Sequence, residues 1–273
     1  MSGWPGRGRF AVAALLICSA AFMPGGPGAA QGTADLYQAT AIVTGTDMRS
    51  RPIGFAKCLR DVLVKVTGEP QLHDDPRVAP LAAHADVYVA SFSYVDRMAG
   101  RPIHDEQGTR DRPFNMTVKF VPAEIDRLLS TLGERPWRGP RPVLVPVVAV
   151  RFGSASYLLS AESPDGAAQR AVLTDVAGEF GIAVRVPGDA QLASWGVAKG
   201  QFPAPRVSAG PDQALVAGTL EFDEALPGWI ASWKMRWHDT AYAWGIRGVN
   251  YDDAFRDLMR GVVRVASGHG APE

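Results

Sequence analysis

From Pro52 to Gly68, apolar residues recur at the spacing of one helix face: Phe55, Leu59, Val62 and Val66, broadened by Cys58 and Leu63. A stripe that wide has to lie on something, so this helix predicts a sheet beneath it. Gly68 supplies the left-handed stop that helices often need, and Pro52 sits in the first turn, where a missing N–H does no harm. The helix carries no catalytic group, so it constrains architecture and not activity. With 47% hydrophobic and 21% charged residues, the 273-residue chain has enough apolar material to build a core around it.

The flanking segments supply the sheet. Ala34–Thr44 partly alternates and closes at Gly45, and Ala85–Val95 is rich in Val, Tyr and Phe. Phe114, Met116, Val118 and Phe120 alternate with Asn115, Thr117 and Lys119, which predicts a half-buried strand. Residues 69–79 read as loop, residues 80–84 as a short helical turn, and residues 98–113 as an exposed hairpin connection. A second amphipathic helix follows at Pro122–Leu132, stopped by Gly133. The order β-α-β-β-α predicts a small α+β domain, residues 34–133, with helices on one face of an antiparallel sheet.

Residues 134–142 read as an extended linker, since Gly133–Pro142 holds three prolines, two glycines and three arginines. Its arginines are expected to be solvated, with Trp137 packed against a neighbouring domain. Val143–Arg151 is then a near-continuous apolar strand, the pattern of a strand covered on both faces. A turn at Phe152–Ser156, a helix at Ala167–Phe180 and a strand at Ile182–Val186 complete a βαβ unit. A short helix is expected at 191–197, and Ala214–Phe222, Trp229–Trp237 and Thr240–Val249 read as further strands, the last two a hairpin turning at His238-Asp239. The helix Tyr251–Ser267, with Asn250 as N-cap, offers Phe255, Leu258, Met259, Val262 and Ala266 to that sheet. The second domain, residues 143–267, is therefore α/β with a mixed sheet, and residues 268–273 are a tail.

The first 30 residues read as a secretory signal: Arg7 and Arg9, an apolar run from Phe10 to Phe22, and small residues at Gly28-Ala29-Ala30. That run is too short to span a bilayer, no later stretch reaches transmembrane length, and no stable membrane insertion is expected after cleavage. The expected location is periplasmic or secreted. Ile17 before Cys18 is too large for a lipid-modified cysteine, and removal of the signal leaves Cys58 as the one cysteine. A formal charge of zero argues against a nucleic-acid partner.

Chemistry is harder to find. The five histidines form no helical i,i+4 pair and sit near no cysteine cluster; His73-Asp74-Asp75 and His104-Asp105-Glu106 are the best local candidates for a metal, but both sit in polar loops where solvated charge is the ordinary state, and no metal is predicted. No cofactor is expected, because the dinucleotide and phosphate-loop glycine patterns are missing. The βαβ reading places Gly153, Ser154 and Ser156 at a sheet's carboxyl edge, where α/β proteins bind ligands, so these three are the candidate ligand-binding residues. Trp229, Trp233 and Trp237 share one strand face; exposed they would form an aromatic surface for a glycan or partner, and under the final helix they would be core, which the available cover favours.

The helix ending Val64-Lys65-Val66-Thr67-Gly68, the segment FNMTVKFVPAEIDRLL, the junction RPWRGPRPVLV, then GIAVRVP, ALVAGTLEF and GWIASWKMRW, in that order, resemble an uncharacterised proteobacterial exported family, domain-of-unknown-function family 2066. Pro146 departs from its pattern, where many members are expected to have an aromatic residue. The resemblance brings no catalytic residues. Its second half is also similar to small α/β domains of envelope assembly and lipoprotein-accessory proteins. The expected role is a non-catalytic binding or assembly accessory of the bacterial envelope with an envelope protein as partner; the alternative is a hydrolase or small-ligand binder using the turn Gly153 to Ser156.

Overall fold

The structure, a computed structural model, describes Met1 and residues 36–272 except 101–111, 198, 200, 201, 206, 208, 209 and 226. The leader-like segment, the first residues of the strand expected from Ala34, and His104-Asp105-Glu106 lie outside the described residues. The elements below belong to one compact unit, Gln31–Glu273.

A three-stranded antiparallel sheet is built from β1 (Gln38–Thr44), β2 (Val89–Asp96) and β3 (Pro113–Phe120) in the order β1-β3-β2. Ala41, Met116 and Tyr94 lie in register across it, which puts the predicted apolar face of β3 towards the helix α1, Ser50–Thr67. Phe55, Cys58, Leu59, Val62, Leu63 and Val66 are all buried there. Burial pushes the Cys58 thiol up to about 12, so it packs as a small apolar group and not as a nucleophile. The segment expected to be a strand from Ala85 begins instead with a 3₁₀ turn, Ala85–Tyr88, in which Val87 donates to the His84 carbonyl. A second 3₁₀ turn, Pro70–His73, lies in the predicted loop, and the helical turn expected at 80–84 is the short helix α2, Val78–Ala83. Helix α3, Pro122–Thr131, adds Ile125, Leu128 and Leu129 to the core.

The second sheet has the order β5-β4-β6-β7-β8, with β4 (Val143–Phe152), β5 (Ala155–Leu158), β6 (Gln213–Asp223), β7 (Gly228–Trp237) and β8 (Thr240–Val249). Only β4 and β6 run parallel, so the sheet is mixed. Helices α4 (Ala167–Glu179) and α6 (Tyr251–Ser267) pack with one face, while α5 (Asp189–Ser194) covers Val147, Ala149 and Leu158 on the other. Strand β4 is thus covered on both sides, as its unbroken apolar run predicts. The predicted strand at Ile182–Val186 is reduced to a single parallel bridge, Leu144 to Val184, and the parallel neighbour of β4 is β6. Pro187 and Gly188 turn the chain away into α5 before a ladder can grow. Pro146 is accommodated in the same gap. Leu144 and Val148 bond to the Ala183 and Leu159 side, and Pro146, in phase with them, aims its bare nitrogen between the bridge and β5.

The connector corrects a second expectation. Its arginines are not all solvated: half-buried Arg141 donates to the carbonyls of Lys65 (2.6 Å) and Phe180 (3.3 Å) and lies 4.3 Å over the Trp137 ring. Both carbonyls sit at helix C-termini, where a cation is favoured and the backbone oxygens need partners. The Trp137 N–H meets Val66 O at 2.8 Å, so residues 137–141 cap α1. Burial lowers Arg141 to about 10, which still leaves it charged at neutral pH.

Gly68 ends α1 with φ 75°, and a Cβ there would lie 2.5 Å from Ser267 Cβ at the end of α6. Positive φ and this close approach act together. Gly68→Ala is expected to lose about 1–2 kcal/mol of stability, read from the denaturation midpoint; an unchanged midpoint would contradict the assignment.

Candidate functional site

Gly153, Ser154 and Ser156 lie at the tip of the β4–β5 hairpin, all three exposed, with Gly153 at φ 56° and Ser156 paired to Arg151. The chain leaving β4 therefore folds back antiparallel and does not pass directly into a helix. Trp229 and Trp233 are buried and Trp237 is half-buried. Trp229 packs among Phe152, Phe222 and Tyr251, with ring centroids 5.4–6.1 Å away, and Trp233 faces Phe255 of α6. The structure does not bring the serine turn and the tryptophans of the helix face together into one cleft.

What it does bring together is a cleft of about 600 Å³ between the segment 70–76 of the first sheet's lobe and the α6–β8 face of the second. Asp257, Arg260, Gly261 and Arg264 line it from α6, at i, i+3, i+4 and i+7, one stripe of the helix. Trp244 of β8 packs against that stripe; a Cβ on Gly261 would be 2.3 Å from its ring, and its indole N–H meets Asp257 O at 3.2 Å. Gln71, Asp74 and Asp75 face it from the other side.

Asp257 is the chemically distinctive group. Its Oδ2 accepts the Trp233 indole N–H at 3.0 Å. Burial pushes its pKa up from 3.8 to about 6, against the opposing pull of that hydrogen bond and of Arg260. Near pH 6 it can switch between accepting and donating a hydrogen bond, inside a cleft that also offers a guanidinium and an indole. The sign of the linkage follows: because the folded value exceeds the unfolded one, the folded state holds an extra proton between about pH 4 and 6, and stability falls as pH rises through that window. Asp257→Asn is therefore expected to melt above the wild type at pH 7.5 and level with it near pH 4; a constant difference at both pH values would refute the shift.

The opposite wall is electrostatically occupied. Asp75 is tied to Arg77 by several hydrogen bonds, and Asp74 lies 2.8 Å from His73 Nδ1. Among the described residues there is no group of three or more His, Cys, Asp or Glu side chains that could hold a metal ion. Sequence reasoning passed over Asp257 because it lies opposite the apolar stripe of α6. A signal was present: Gly261 inside an otherwise strong helix costs about 1 kcal/mol, and such a glycine marks a close approach.

A family model described as a domain of unknown function, DUF8605, matches residues 30–138, the first sheet's lobe and the connector as far as Arg138. No curated protein matches the chain. A solved structure titled "Crystal structure of uncharacterized protein" is similar at 12% identity over 47% of this chain and 88% of that one, with a TM-score of 0.23. The chain thus carries an uncharacterised domain in its first half, set on an antiparallel sheet and followed by a mixed one.

Proposed function

We propose that this chain is an exported, periplasmic binding or assembly accessory of the bacterial envelope, of the proteobacterial family 2066 type that its ordered sequence strings resemble, and that it binds through the Asp257 cleft. The observation that carries the binding reading is the position of Asp257. A carboxyl whose pKa burial raises to about 6 sits in a cleft walled by both lobes, beside Arg260 and Trp244. A small polar molecule, or a polar side chain of an envelope protein, that pairs with Asp257 and Arg260 would touch both lobes at once. The leader-like residues support export, and the resemblance supports the envelope.

A ligand that selects the folded state must raise its melting temperature. The test is a thermal-shift screen of the full chain against nucleotides and envelope metabolites, paired with pull-down from envelope extracts using wild type, Asp257→Asn and Arg260→Gln. Hits or captured partners lost in both variants support the reading. Hits that survive both variants, or no hit and no specific partner, would sink it.

A further inference from the structure

A second concavity, of about 850 Å³, opens on the far side of the second sheet from α6, between residues 202–205 and the outer faces of β6, β7 and β8. Its floor follows from strand register. Ala217, Lys234 and Ala243 lie in one row across three strands, and Arg236 stands opposite Ala241. Lys234 therefore rises between two alanines and Arg236 beside a third, whose small side chains leave the floor recessed. Phe202, Pro203 and Pro205 form one wall.

The charge in this groove has one sign. Among the described residues that line it, the charged side chains are Lys234 and Arg236, with His238 at the rim, and none is acidic. Lys234 Nζ lies 4.5 Å over the Phe202 ring, and Arg236 Nη1 donates to the Asp239 carbonyl at 3.4 Å. Both cations point from the same face of β7, two residues and so about 7 Å apart. Apolar walls demand an apolar body, while two cations on the floor demand an anionic head. A neutral lipid would bury the cations unpaired, and a small inorganic anion would leave the aromatic wall bare.

From this we infer that the groove binds a single-chain amphiphile with a carboxylate head, its chain along the alanine floor beside Phe202 and the prolines and its head between Lys234 and Arg236. The inference is independent of the Asp257 cleft, which opens on the other side of the sheet.

The test is calorimetric titration of the full chain with dodecanoate below its micelle concentration, beside dodecyl maltoside, acetate and an acidic peptide. Dodecanoate is expected to bind saturably, with both maltoside and acetate at least about tenfold weaker. Lys234→Gln and Arg236→Gln, exposed substitutions whose folding is checked by circular dichroism, should each weaken dodecanoate by about tenfold. Ala243→Leu should block it by filling the floor, and Asp257→Asn should leave it unchanged. The inference fails if dodecanoate does not bind by about 1 mM, if the maltoside binds as tightly, if the two charge variants bind like wild type, or if the acidic peptide binds and dodecanoate cannot displace it.

Discussion

Trp233→Ala is expected to lower the stability of the fold by about 3–5 kcal/mol, a fall in melting temperature of roughly 10 °C. Trp233 is 1% exposed. Its ring lies on the bare backbone of Gly218, its register partner on β6, where an added Cβ would sit 2.2 Å from Cε3. Removing the indole therefore opens a cavity that neither Gly218 nor the helix above can fill, since glycine has no side chain to move and Phe255 is itself fully buried. It also deprives Asp257 of its N–H donor. Trp233→Phe separates the two effects: most of the packing returns, while the Asp257 pKa should rise further because a partner of the charged form is gone. Thermal melts of both variants, with the pH dependence of each, distinguish them. A Trp233→Ala loss under about 1 kcal/mol would contradict the packing described here.

Arg264→Ala is expected to cost a comparable amount, about 3–5 kcal/mol, for a different reason. Arg264 of α6 pairs with Glu69, just past the end of α1, and the two side chains are only 16% and 10% exposed. Removing the arginine strands a carboxylate that water reaches poorly. Removing both charges does not, so Arg264→Met combined with Glu69→Leu should be less damaging than Arg264→Ala alone. Equilibrium denaturation of the single and double variants measures this, and a double variant as unstable as the single would show that the pair does not act as a unit.

Much of this was legible in the residues. The α1 stripe, its Gly68 stop, the alternation of β3 and β7 and the Asn250 cap of α6 each follow from one local rule, and each is found, with Asn250 Oδ1 accepting from the Asp253 N–H at 2.8 Å. What was not legible depends on which strand lies beside which. Ile182–Val186 has the composition of a strand, but β4 takes β6 as its parallel partner, a choice between segments some 30 residues apart that local pattern does not encode. For the same reason the turn at Gly153 becomes a hairpin tip. Arg141 looked like solvated linker charge because the carbonyls that hold it, Lys65 and Phe180, come from two distant helix ends. Asp257 was hidden because nothing in its neighbourhood in sequence announces Trp233, 24 residues earlier, as its partner.

The meeting of Gly68 and Ser267 has a consequence in the time order of chain growth. The Ser267 hydroxyl donates to the Gly68 carbonyl across a sequence separation of 199 residues. The Gly68 carbonyl and the Glu69 carboxylate, just past α1, gain their α6 partners only once the final helix has left the ribosome. Until then the first lobe exists with a carboxylate and a backbone carbonyl waiting for residues not yet made, so a chain truncated before Tyr251 should hold the first sheet in a looser, more protease-sensitive form than the full-length protein.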